Sequence, residues 1–78
     1  MPTVLRSGPY RFYFYAGDRE EPMHVHVKRD EMEAKVWLDP VWLARNKGFS
    51  RTELNKILRL VAEHRQFLMD QWNEYFNG

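Results

Sequence analysis

From Ser50 to Phe76 the chain carries neither proline nor glycine, and its apolar residues recur at helical spacing. That stretch constrains the fold more than any other feature. Ser50 and Glu53 form an S-x-x-E capping box, in which each side chain serves an orphan N–H near the helix start. Phe49, just before the cap, is placed to staple onto Leu54. Leu54, Ile57, Leu58, Val61, Leu68, Trp72 and Tyr75 then share one stripe. A helix over 50–76 at about 1.5 Å rise per residue would be about 39 Å long. A 78-residue domain should have a radius of gyration of about 12 Å. A straight rod is therefore too long for its own domain. It must bend over the remainder of the chain or project and meet a partner.

The half before it, residues 1–48, reads as β-structure. Thr3–Arg6 is β-prone and ends in the turn cluster Ser7-Gly8-Pro9. In Tyr10–Tyr15 the aromatics fit a pleated surface, with Tyr10, Phe12 and Phe14 on one face and Arg11, Tyr13 and Tyr15 on the other. Met23–Lys28 and Glu31–Leu38 both alternate apolar with polar residues and predict a hairpin, turned at Arg29-Asp30. Val41–Ala44 suits either a strand or a helical turn, and Arg45–Gly48 reads as a basic turn. The expectation is one α+β domain over 1–78, with a small antiparallel sheet of four to five short strands packed on one long C-terminal amphipathic helix.

Composition excludes several classes. There is no cysteine, hence no disulfide framework and no thiolate metal site, as in a reducing compartment. No apolar run approaches the roughly 20 residues that span a bilayer, and the first residues lack the pattern of a secretory signal. With a net charge of +1, overall charge predicts no nucleic-acid binding, so only a local basic patch could provide it. Three Trp, four Tyr and five Phe supply large apolar surfaces to a chain too short to bury much else.

His24 and His26 are the first candidates for chemistry. Two apart in a strand, they point the same way, about 6.6 Å apart along the chain. Such a pair can reach one metal ion, with Glu33, Glu21, Asp18 or His64 as third ligand. It can equally serve as general acid and base on a phosphodiester, or be two half-exposed polar residues on a wet sheet face. Arg45, Lys47 and Arg51 crowd the helix start, where cations oppose the helix dipole and an anion would be welcome. Arg65 lies between Val61 and Leu68 on the core-facing stripe. It should pair with an acid such as Glu33, reach a ligand, or run its stem along the helix edge. Leu60 and Phe67 form a smaller apolar pair away from that stripe, a candidate partner surface.

The segments Met1–Arg6, Glu21-Pro22-Met23-His24-Val25-His26-Val27, Ala44–Phe49 and Trp72–Phe76 together resemble a small prokaryotic family of domains of unknown function, family 4160. The likeness runs in order along essentially the whole chain. It departs where the family usually has two prolines before the first histidine and this chain has Pro22-Met23. The resemblance implies a cytoplasmic, toxin-like component of a two-gene toxin–antitoxin module with a small cognate protein partner, acting on RNA or translation. It implies no demonstrated reaction. On that reading His24 and His26 are acid–base or phosphate-contacting groups of a ribonuclease-like activity, and Lys28, Lys35, Arg45, Lys47 and Arg65 stabilise phosphate charge. The alternative is a non-enzymatic protein-binding or regulatory module that uses the helix, with Leu60 and Phe67 at its surface. No cofactor is expected; a divalent metal at the paired histidines is the lesser reading. Neither a membrane nor a fixed oligomeric state is implied.

Overall fold

A computed structural model describes residues 3–77. Met1 and Pro2, which open the first resemblance segment, and Gly78 lie outside those residues. Five strands follow one another as an antiparallel meander: β1 (Thr3–Ser7), β2 (Tyr10–Tyr13), β3 (His24–Arg29), β4 (Met32–Leu38) and β5 (Val41–Lys47). A single 3₁₀ turn, Ala16–Glu20, separates β2 from β3. The chain closes with α1 (Arg51–Glu63) and α2 (Arg65–Asn77).

Alternation places the core. Tyr10, Phe12, Phe14, Val25, Val27, Ala34, Val36 and Leu38 are buried together with Phe49, Ile57, Val61, Leu68 and Trp72. One face of the meander thus packs against the stripe of the helices. The hairpin is as expected, with Val25 opposite Val36 and Val27 opposite Ala34. Its turn is shifted by one residue, to Asp30-Glu31, because Arg29 pairs with Met32. Asp30 takes the left-handed conformation that a short polar side chain tolerates, at φ 54°.

Arg45-Asn46-Lys47 is not a turn but the end of β5, paired across to Lys35, Ala34 and Glu33. A bulge lets β5 continue, since Val36 pairs with Leu43 and Lys35 with Arg45, leaving Ala44 over. The turn is instead compressed into Gly48 at φ 99°, where a Cβ would lie only 2.8 Å from Met32 Cγ. Asn46 braces it by accepting from the Phe49 amide and donating to its carbonyl, both at 3.0 Å.

The helix begins as expected: Ser50 Oγ accepts from the Glu53 amide at 3.2 Å. Only that half of the capping box forms. The Glu53 carboxylate turns to the sheet, accepting from Arg29 Nε at 2.7 Å and from the Tyr10 hydroxyl at 3.0 Å. Arg29 thereby holds the Glu53 carboxyl below the usual carboxylate range. An ion pair between sheet and helix outcompetes a local backbone cap because it is charge-assisted.

The single rod is broken at His64, whose backbone at φ −103° and ψ 15° closes α1. Helical bonds flank the break, from the His64 amide to the Leu60 carbonyl and from the Leu68 amide to the His64 carbonyl. The longest dimension of the fold is 35 Å and its radius of gyration 11.4 Å, so an unbroken rod of about 39 Å would overhang. Beyond the break the core side is kept by Leu68 and Trp72, with Met69 and Phe76 packed alongside. Tyr75, expected on that stripe, is 42% exposed.

Candidate functional site

The register sorts side chains onto the sheet face opposite the helices, because residues directly across a ladder project to the same side. One row crosses all five strands: Arg6, Arg11, Lys28, Glu33 and Lys47. Beside it runs Tyr13, His26, Lys35 and Arg45. A third row holds His24, Trp37 and Trp42.

A wet sheet face was one of the readings that the sequence leaves open for the histidines. They are on that face, but both are buried, His24 fully and His26 to 3% exposure. What covers them is the chain between β2 and β3. The 3₁₀ turn is closed in both directions: the Asp18 amide donates to the Tyr15 carbonyl at 3.0 Å, and the Tyr15 amide donates to Asp18 Oδ2 at 2.9 Å. This aims the Asp18 carboxylate back over β3, where Oδ2 lies 3.0 Å from His26 Nε2 and 3.2 Å from His24 Nε2. The rings of Tyr13 (stacked, centroids 5.5 Å apart) and Tyr15 (edge-on, 4.5 Å) enclose His26. Trp37 and Trp72 enclose His24, at 5.4 and 5.1 Å.

His24 Nδ1 sits 2.8 Å from the Pro22 carbonyl. A carbonyl only accepts, so Nδ1 carries the proton. Nε2 is then the ring atom that faces Asp18. His24 Nε2 is off the hydrogen-bond direction and, like His26 Nδ1, has no hydrogen-bond partner among the described residues. Burial pushes His26 below the ordinary histidine range, opposed by the Asp18 carboxylate, so its imidazole is favoured in the neutral form. The Met23 carbonyl accepts from the Leu38 amide at 3.0 Å.

Of the four candidate third ligands, only Asp18 joins the pair. Glu21 comes within 3.9 Å of His24 Nδ1 but is held by Lys35, which keeps its carboxyl below the usual range. Glu33 accepts from the hydroxyls of Tyr13 and Tyr15, and His64 stands at the helix break.

The expected phosphate-binding residues do not converge on the histidines as one cluster. Lys28, Arg45 and Lys47 are exposed on the open face. Lys35 is tied to Glu21 and lies 4.7 Å above the Trp37 ring. Arg65 belongs to neither a ligand site nor Glu33: its Nε donates to the Leu38 carbonyl and its Nη2 to Asp39, both at 2.7 Å. It pins the start of α2 to the β4–β5 turn. Leu60 packs against the core, so the Leu60–Phe67 pair is not one exposed patch; Phe67 alone is 43% exposed. Linear pattern does not single out Arg6 and Arg11 of the basic row, nor Trp42, which is 68% exposed. Strand alternation could group Arg11 with Lys28 only once the register is known.

Residues 10–73 match the sequence family described as Domain of unknown function (DUF4160). No curated protein and no solved structure matches the chain.

Proposed function

The chain belongs to the DUF4160 family, and we propose that it is an RNA-binding member that holds its ligand on the open face of the sheet. The observation that carries this reading is the cross-strand row Arg6, Arg11, Lys28, Lys47, with Lys35 and Arg45 in the row beside it. At about 4.8 Å per strand, the row spans roughly 19 Å. The acid within it, Glu33, is occupied by the two tyrosine hydroxyls. Cations in a line suit a phosphate backbone, and exposed Trp42, beside Trp37 on the same face, offers a stacking surface for bases. A near-neutral chain can bind RNA only through such a concentration of charge.

Burial of both imidazoles favours binding over cleavage, since a substrate on the surface meets neither ring unless the Asp18 turn moves aside. In the two-gene, toxin-like setting that the resemblance implies, this face would engage RNA of the translation machinery. The helices would be left for a small protein partner. Phe67 and Tyr75, exposed on α2, favour that partner reading as the alternative function.

The test is fluorescence anisotropy of the protein with a labelled single-stranded RNA across a salt series. Replacing Arg45 and Lys47 together by alanine should weaken binding tenfold or more at low salt. It should also lower the slope of log K against log salt by about 0.7 for each phosphate no longer neutralised. RNA affinity untouched by that double change, or absent at low salt, removes the reading. Loss of partner binding on Phe67→Asp, with the basic row irrelevant, would instead establish the alternative.

A further inference from the structure

The geometry points to a divalent transition-metal site built from Asp18, His24 and His26, zinc being the ion that its donors suit best. This inference does not rest on RNA binding. Three ligand atoms, one from each residue, lie within 4.8 Å of one another. Asp18 Oδ2 is 3.0 Å from His26 Nε2 and 3.2 Å from His24 Nε2. Ligands at about 2.1 Å from a common zinc ion stand roughly 3.0–3.4 Å apart in octahedral or tetrahedral arrangements, so both contacts already match. The remaining edge, no more than 4.8 Å, must close by up to about 1.4–1.8 Å to reach those separations, and His26 Nε2, which donates to Asp18 in this structure, must give up its hydrogen on ligation.

The donor atoms are already presented to one another. The Pro22 carbonyl holds the hydrogen of His24 on Nδ1, so Nε2 is the ring atom that faces Asp18 Oδ2, at 3.2 Å. That nitrogen has no hydrogen-bond partner among the described residues although His24 is fully buried, and a metal ion is a partner that it can share with a carboxylate oxygen.

The surroundings have the form of an outer shell. Metal-binding histidines commonly donate their second ring N–H to a carbonyl, which orients the ring; Pro22 plays that part for His24. The Tyr15 amide orients Asp18. Aromatic rings of Tyr13, Tyr15, Trp37 and Trp72 exclude water around the imidazoles. Three protein ligands leave a further coordination position, as in catalytic rather than closed structural zinc sites. The same set of two histidines and one carboxylate also accepts manganese or iron, and imidazole ligation ranks zinc above manganese.

The test uses the full chain purified without a polyhistidine tag, stripped with chelator and titrated calorimetrically with zinc chloride and, separately, manganese chloride. Expected are one equivalent of zinc bound more tightly than manganese, and a melting temperature that rises until one equivalent is added. Asp18→Asn and His24→Gln should each weaken zinc binding at least tenfold, whereas His64→Gln should leave it unchanged. No stoichiometric binding of either ion to folded protein overturns the inference, as does binding insensitive to both site substitutions or abolished by His64→Gln. Should the site variants fail to fold, imidazole nitrogen NMR of the unaltered protein decides. Zinc must shift Nε2 of His24 and His26 while His24 Nδ1 keeps its proton; a shift confined to His64 overturns the inference.

Discussion

The two faces of the sheet are made by the same five strands and are filled by opposite means. Beneath the helices, Phe12, Phe14, Val25, Val27, Val36 and Leu38 are fully buried against Ile57, Val61 and Leu68, and apolar area removed from water stabilises the contact. On the other face, burial is confined to one end, where a short turn folds Asp18 back over two histidines and Trp72 of α2 reaches the His24 ring. On the rest of that face Arg6, Lys28, Arg45 and Lys47 are exposed, while Arg11 and Lys35 are half-buried. Apolar packing is non-directional and tolerates volume-conserving exchange. A carboxylate held against two buried imidazoles is directional and tolerates almost none. One face therefore holds the fold, and the other is where specific chemistry can be placed.

The largest effects should fall on the packed face. Leu68→Ala or Ile57→Ala should lower unfolding free energy by about 2–5 kcal/mol, while Trp42→Ala on the open face should change it by about 0.5 kcal/mol or less. Chemical denaturation of the three variants checks this. An equal destabilisation by Trp42→Ala would break the contrast between the faces.

The seam between helices and sheet should come next. Arg65→Ala removes two hydrogen bonds and leaves the Leu38 carbonyl short of a partner. It should cost about 1–3 kcal/mol, with the protection of α2 amides against hydrogen exchange falling more than that of α1 amides. A uniform fall across both helices would show that Arg65 is not a local pin.

The smallest effect is one of pH. The folded pKa of Glu53 is depressed by Arg29, so its contribution is present above the unfolded pKa and is lost as pH falls through the lower folded value. Melting temperature should accordingly drop on acidification through the carboxylate range. Glu53→Gln should lower it near neutral pH and flatten that part of the profile. Parallel profiles for the two proteins would mean that the Arg29–Glu53 pair is silent.

How much of the fold and site was legible in the sequence follows from the range of each interaction. The cap at Ser50, the stripe Leu54–Ile57–Leu58–Val61 and the alternation of Met23–Lys28 and Glu31–Leu38 concern neighbours two to four residues apart, and a linear pattern records those directly. The H-x-H pair was visible for the same reason. Its third member was only one of four candidates, because Asp18 reaches His26 through a turn whose shape no periodicity encodes.

The sequence by itself determined where the helix starts, which residues face the core on the central strands, and that two imidazoles share one side of a strand. Backbone geometry repeats every 2 or 3.6 residues, and burial of the apolar set follows from it. Tertiary structure alone decided that the histidines are buried, that Glu53 turns from its own cap to Arg29, that the rod breaks at His64, and that Arg65 closes on Asp39. It also decided that Arg6, Arg11, Lys28 and Lys47 stand in one row. Those outcomes depend on register and on contacts between distant segments, where several partners of similar chemistry compete and only the assembled geometry selects among them.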